Sequence, residues 1–233
     1  MRRAAVVLGL ALSALAVGVA PAGATNECRG LQVCVPVAGP WVVVPTGGGV
    51  PRPQVQYQLS CPKGYIAGGL DAELTDHAID VGFLGAIGAP VNPGVTTSRD
   101  VVFVASYVGV SPHAPTFRPH LGCMPSTGGG GRIPTAAVVP PGKPTIRRVR
   151  NVVLHSGGVQ RVTQGCAAGE RLVGAAHAIG FYTDQPPTSA LVASVTSSQV
   201  VRGGRVVVTV RAGTGVIGVR AIVQAEAVCA GGK

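Results

Sequence analysis

The stretch VQYQLSCPKGYIAGGLDAEL, residues 55 to 74, returns about a hundred residues later as VQRVTQGCAAGERLVGAAHAI, residues 159 to 179. Each version is built around a cysteine and is followed by a second cysteine at nearly the same distance. Cys61 precedes Cys123 by 62 positions, and Cys166 precedes Cys229 by 63. Similarity extends upstream, where VVVPTGGGV (residues 42 to 50) matches VVLHSGGV (residues 152 to 159). Downstream, GYIAGGLDA matches GERLVGAAHA with one inserted residue, an alignment that sets Asp71 against His177. A position that is acid in one version and imidazole in the other holds no shared catalytic group.

What the cysteines do depends on the compartment. The chain opens with Arg2 and Arg3, continues through AAVVLGLALSALAVGVA and closes on PAGA, where Ala22 and Ala24 satisfy the small-residue rule for a cleaved signal peptide. The Ala- and Gly-rich run, broken at Pro21, is a poor spanning helix, which needs ~20 strongly apolar residues. Residues 1–24 are therefore expected to be a signal peptide, read by either the general or the twin-arginine route. The protein is then secreted, with no transmembrane segment after cleavage.

Export makes disulfides the expected state of all six cysteines. The matched spacings favour Cys61 with Cys123 and Cys166 with Cys229, leaving Cys28 and Cys34 to close CRGLQVC. Zinc is disfavoured because no C-x2-C or paired-His spacing occurs.

The expected organisation is an N-terminal disulfide loop over 25–36, β unit 1 over 37–125, a Gly/Pro-rich linker over 126–139 and β unit 2 over 140–231. The fold class is all-β: two tandem, sandwich-like antiparallel units, each stapled by a disulfide and related by the internal repeat. Period-two patterning supports it, since Val55, Tyr57, Leu59 and Cys61 alternate with Gln56, Gln58 and Ser60. So do the β-branched runs RDVVFVASYVGV, SALVASVTSSQVV, GRVVVTVRAG and VIGVRAIVQAEAVC, bounded by turn residues. With few aromatics, the core must be Val, Ala, Leu and Ile, with Trp41 anchoring the first unit. A disulfide closing ~60 residues would stabilise each unit by restricting the unfolded chain.

CPKGYIAGG and CAAGERLVGAA, each followed by a closing HLGC or AEAVC, resemble the C-P-x-G-x-x-x-x-G-G repeat of many uncharacterised secreted bacterial proteins. The second version departs from it at Ala167 and Ala175. The resemblance implies a small extracellular β module and brings no catalytic residues.

Charge divides the chain. Residues 25–123 carry five basic and six acidic groups, whereas residues 124–233 carry twelve basic and three acidic. The densest run, KPTIRRVR, offers Lys143, Arg147, Arg148 and Arg150 as candidate contacts to an anionic cell-envelope polymer or surface glycan, through attraction that salt screens. Nucleic acid is disfavoured because no aromatic residues interleave with the cluster. The acidic stretch LDAELTDHAID offers Asp71, Glu73, Asp76 and Asp80 as a candidate calcium site or glycosidase-type carboxylate pair, although the spacing is not that of an EF-hand. No G-x-S-x-G or H-E-x-x-H occurs. The expectation is a non-enzymatic extracellular binding or structural module without a cofactor; the alternative is a secreted glycan hydrolase or calcium-binding module using residues 71–80.

Overall fold

The computed structural model describes residues 25–85, 99–110, 114–126 and 145–231. The expected signal peptide, Lys143 and all but the first residue of the expected linker lie outside the described residues. The described residues are mainly antiparallel β, and Cys28–Cys34, Cys61–Cys123 and Cys166–Cys229 are the three disulfides.

The first half contains β1 (Val35–Ala38), β2 (Trp41–Val43), β3 (Gln54–Ser60), β4 (Tyr65–Leu74), β5 (Ile79–Gly85), β6 (Asp100–Tyr107) and β7 (Thr116–Pro125). The second contains β8 (Thr145–Val153), β9 (Gly158–Gly165), β10 (Glu170–Tyr182), β11 (Val195–Arg202), β12 (Arg205–Ala212) and β13 (Arg220–Gly231). In the first half β3, β6 and β5 form a three-stranded sheet while β4 pairs with β7; in the second, β9, β12 and β11 form a three-stranded sheet while β10 pairs with β13. Both long ladders carry an irregularity near the first disulfide cysteine, at Ala67/Gly69 and at Leu172/Gly174.

The halves share one sheet. β2 pairs with β7 through Val42 and Val43 and with β10 through Val42 and Trp41, joining both long ladders into a seven-stranded sheet. The β3-β6-β5 layer covers one face of it, where Val55, Tyr57, Leu59, Phe103, Phe117, Leu121 and the Cys61–Cys123 bridge form a core that takes in Ala178 and Ile222 of the second half. The β9-β12-β11 layer covers the opposite face, where Val206, Val208, Val210, Phe181 and Val223 pack around Cys229. Period-two alternation produces this arrangement, because successive side chains of β10 and β13 point into the two different cores. Trp41 is buried at the junction, as expected of an anchor.

The outer face of the β4–β7 ladder is closed by the Cys28–Cys34 loop. Gly69 and Gly122 are register partners, and a Cβ on either would fall on the carbonyl of Glu27, so this glycine pair is the seat of the loop. The second half receives the first in the corresponding place. Gln224, fully buried on β13, accepts from the Gln58 main-chain N–H at 2.6 Å and donates to its carbonyl at 3.0 Å, pairing with β3 as a strand would.

Two expectations change. SALVASVTSSQVV is not all strand: Ser189–Ala193 forms a short helix, α1, whose Thr188 hydroxyl accepts from the Leu191 N–H, before β11 begins. Pro186 and Pro187 precede it, and Ala and Leu are good helix formers. Counted from the disulfide cysteines, Asp71 is level with Ala176 and His177 with Ala72, since Ala67 pairs with Cys123 as Leu172 pairs with Cys229. The irregularity in each ladder replaces the inserted residue of the sequence alignment.

Candidate functional site

The run of arginines on β8 splits between opposite faces, because neighbouring residues on a strand point to opposite sides. Arg147 turns inward and forms a buried ion pair with Glu226, also donating to the Gln56 side chain at 2.6 Å. Burial pushes the Glu226 carboxyl above the usual range while Arg147 pulls it back. Arg148 makes a two-pronged pair with Glu170 at 2.9 and 2.6 Å. Its hydrogen bonds, with one from the Ala167 N–H, hold the Glu170 carboxyl below the ordinary value. Arg147 is thus neutralised inside the protein and Arg148, a third exposed, at its surface. Of the described candidates Arg150 is the one that stays exposed, donating to the Thr163 carbonyl at the edge of β9.

A different set of arginines forms the basic surface. Inner-face residues Val206, Val208 and Val210 of β12 are buried, so the alternate residues Arg205, Val207, Thr209 and Arg211 face outward. Strand register places Arg161 and Ser198 beside Thr209, Thr163 and Val200 beside Val207, Arg202 beside Arg205, and Thr196 beside Arg211. Arg161, Arg202, Arg205 and Arg211 are all exposed, and among the described residues none of them forms an ion pair. No carboxylate occupies this face. Arg161, Arg202 and Arg205 rim a shallow depression of about 490 Å³ floored by Thr163, Val200, Val207 and Thr209. From Arg205 to Arg211 the strand spans ~20 Å, at about 3.4 Å per residue.

Asp71, Glu73 and Asp76 of the acidic stretch each have a separate partner. Asp71 accepts from the Asn26 and Ala72 N–H groups at 2.6 and 2.8 Å, holding the N-terminal loop. Asp76 accepts from the Ala78 N–H and the Tyr107 hydroxyl, both at 2.8 Å, and these bonds lower its pKa, the main-chain one most. Glu73 approaches His120 at 3.1 Å, and Asp80 is exposed on β5. Among the described residues no three of these carboxylates have oxygens within 4.8 Å of one another; the group that does meet this distance is Cys166, Glu170 and Cys229, whose sulfurs are bonded to each other.

A second concavity of about 430 Å³ lies between the halves. Gln54 and Gln56 of β3, Ala175–Ile179 of β10, and Ser197 and Gln199 of β11 line it. His177 contacts the Gln199 carbonyl oxygen through Nδ1 at 3.0 Å and the Ser197 hydroxyl through Nε2 at 2.9 Å. Burial lowers the His177 pKa, opposed by the Gln199 bond, so the ring is neutral at pH 7. These two contacts tie β10 to β11, with the neutral side-chain amide of Gln199 holding the ring through Nδ1. No family model, curated protein or solved structure matches the chain.

Sequence reasoning missed the four outward arginines because they stand apart in sequence. The signal that finds them is the alternation of GRVVVTVRA read against its two neighbouring strands.

Proposed function

We propose that the protein is a secreted, non-enzymatic binding module that attaches to an anionic cell-envelope polymer or surface glycan through the outer face of β9-β12-β11. The observation that carries this reading is four exposed, unpaired arginines on one sheet face with no carboxylate among them. Guanidinium groups present planar donor forks suited to carboxylate, sulfate or phosphate. The Thr163, Thr196, Thr209 and Ser198 hydroxyls between them suit the hydroxyls of a sugar chain. With no aromatic residue on the face, base stacking has no platform, which favours a glycan over single-stranded nucleic acid.

Export by a signal peptide at 1–24 accords with three disulfides, which persist in oxidising compartments. No helix among the described residues is long and apolar enough to cross a membrane. The matched strand pairing and cysteine positions support reading the halves as two versions of one secreted β unit, as the C-P-x-G resemblance implies. Among the described residues no three of Asp71, Glu73, Asp76 and Asp80 gather their oxygens within 4.8 Å, which leaves the arginine face as the better supported site.

The test is retention on immobilised heparin and polygalacturonate as salt is raised. Retention at low salt should fall away by ~0.5 M, where the Debye length shortens to about 4 Å. Changing Arg161, Arg202, Arg205 and Arg211 together to Gln should abolish it, whereas changing Arg29 and Arg52 should not. Retention that ignores salt, or that survives the fourfold change, overturns the reading.

A further inference from the structure

The four arginines on the outer face of β9-β12-β11 stand in two pairs. Gly203 and Gly204, at φ of 55° and 70°, make the two-residue turn from β11 to β12, a backbone shape that glycine adopts freely. The turn sets Arg202 directly opposite Arg205. Like charges so placed repel, and among the described residues neither guanidinium has a carboxylate to answer it. Gly165 is the neighbour of Arg205 on β9, and a Cβ there would lie 3.0 Å from the Arg205 Cγ, so the arginine stem rests over that glycine. Arg161, opposite Thr209, is the diagonal neighbour of Arg211, a relation that sets residues about 7–8 Å apart. Four positions of β12 separate Arg205 from the level of Arg161 and six separate it from Arg211, about 14 and 20 Å at about 3.4 Å per residue. At ~0.15 M salt the Debye length is about 8 Å, so the two pairs act independently while the members of each pair do not.

We propose that each pair is a clamp for one anionic group, and that the face selects a polysaccharide whose anionic groups are separated by neutral sugars; the inference rests on the attachment proposed above and adds the spacing of the ligand's charges. The ground between the clamps supports it. Val200 and Val207 lie side by side there, with Thr163, Thr209 and Ser198 around them. Val200 is 45% exposed, an apolar surface left to water. A carboxylate or sulfate above these valines would lose hydration without gaining a guanidinium. A neutral pyranose suits the place, because its C–H face covers the valines while its rim hydroxyls reach the Thr and Ser side chains. At the clamps the planar donor forks of two arginines close on one oxyanion, which also removes the repulsion between them.

The probe is the octasaccharide of gellan, whose two glucuronates stand three neutral sugars apart. It is compared with octagalacturonate, charged on every sugar, and with a single-stranded deoxyoctanucleotide, each titrated calorimetrically into the whole protein at ~0.15 M salt. The gellan fragment should bind at least as tightly as either of the others although it carries a quarter of the charge of octagalacturonate. Arg202→Gln and Arg205→Gln should each weaken it about fivefold and together little further, because they share one anion, whereas Arg202→Gln with Arg211→Gln should multiply to about twenty-fivefold. Val207→Ser should weaken the gellan fragment about threefold and leave octagalacturonate unchanged. Tighter binding of octagalacturonate or of the oligonucleotide, no binding of the gellan fragment at millimolar concentration, or effects that multiply alike for every pair of arginines overturns the proposal. Where heparin retention is still lost in the fourfold variant, any of these outcomes removes the spacing and leaves the attachment standing; heparin retention that survives the fourfold change removes both.

Discussion

The two three-stranded layers pair in the same order and present opposite outer surfaces. On β3-β6-β5 the outward positions carry Gln54, Gln56, Gln58, Asp80 and Asp100; on β9-β12-β11 they carry Arg161, Arg202, Arg205 and Arg211 with hydroxyl residues between. Inner positions are Val, Leu, Tyr, Phe and Ile in one and chiefly Val in the other, closed by a disulfide in both. The inner residues set the architecture, and the outward residues are left to set what each half touches.

A sharper contrast lies three residues before each closing cysteine. His120 stands there in the first half and Glu226 in the second, both buried on the side of the ladder away from the disulfide. Glu27, from the N-terminal loop, and Glu73 face His120, whereas Arg147 answers Glu226. The same place in the ladder holds an imidazole in one half and a carboxylate in the other, each facing a partner from a different part of the chain.

The largest expected effect tests that contrast. Arg147→Ala strands Glu226 in a dry site, and truncating one partner of a buried pair costs about 3–5 kcal/mol. The loss should fall near 3 kcal/mol, because a carboxyl whose pKa is already raised by burial can take up a proton. His120→Ala should cost less, about 1–2 kcal/mol, since Glu73 is partly exposed to water and the buried Glu27 stands 3.9 Å from the imidazole, beyond hydrogen-bond reach. Urea denaturation at neutral pH measures both, and equal losses would break the contrast. Next in size, Gly122→Ala places a methyl on the Glu27 carbonyl and should cost about 1–3 kcal/mol as an overpacking change. Its mark is earlier proteolysis around Cys28–Cys34, with the second half unaffected. Smallest is the response of His177 to pH. Because burial lowers its folded pKa below the unfolded value, its contribution is full above ~6.5 and is lost as pH falls through that value toward the folded one. Thermal midpoints between pH 7.5 and 5.5 should slope less for His177→Gln than for the parent, and identical slopes would show that the ring does not report the β10–β11 contact.

The strands and disulfides were legible because they depend on local alternation and on matched spacing. Val55, Tyr57 and Leu59 are buried as the period-two reading requires. The basic surface was not legible from local density. RRVR is a dense run, yet its partners Glu226 and Glu170 lie 79 and 22 residues away, and only register brings them to Arg147 and Arg148. Conversely, Arg161, Arg202, Arg205 and Arg211 become neighbours only when three strands are laid side by side. What the acidic stretch holds was hidden for a related reason: Asp71 and Asp76 accept main-chain N–H groups of a loop and a turn, contacts that the spacing of the carboxylates does not announce. The helix at Ser189–Ala193 was hidden by the β-branched run that follows it.

The pairing of Gln224 with Gln58 has a consequence for the order of assembly. The group that closes part of the edge of β3 belongs to the last strand, 166 residues further along the chain. A chain synthesised from its N-terminus therefore presents a first half in which the Gln58 edge lacks this partner until β13 arrives. Until then the Gln58 main chain is a strand edge, the kind of surface on which another chain can pair, and β13 is the strand that caps it.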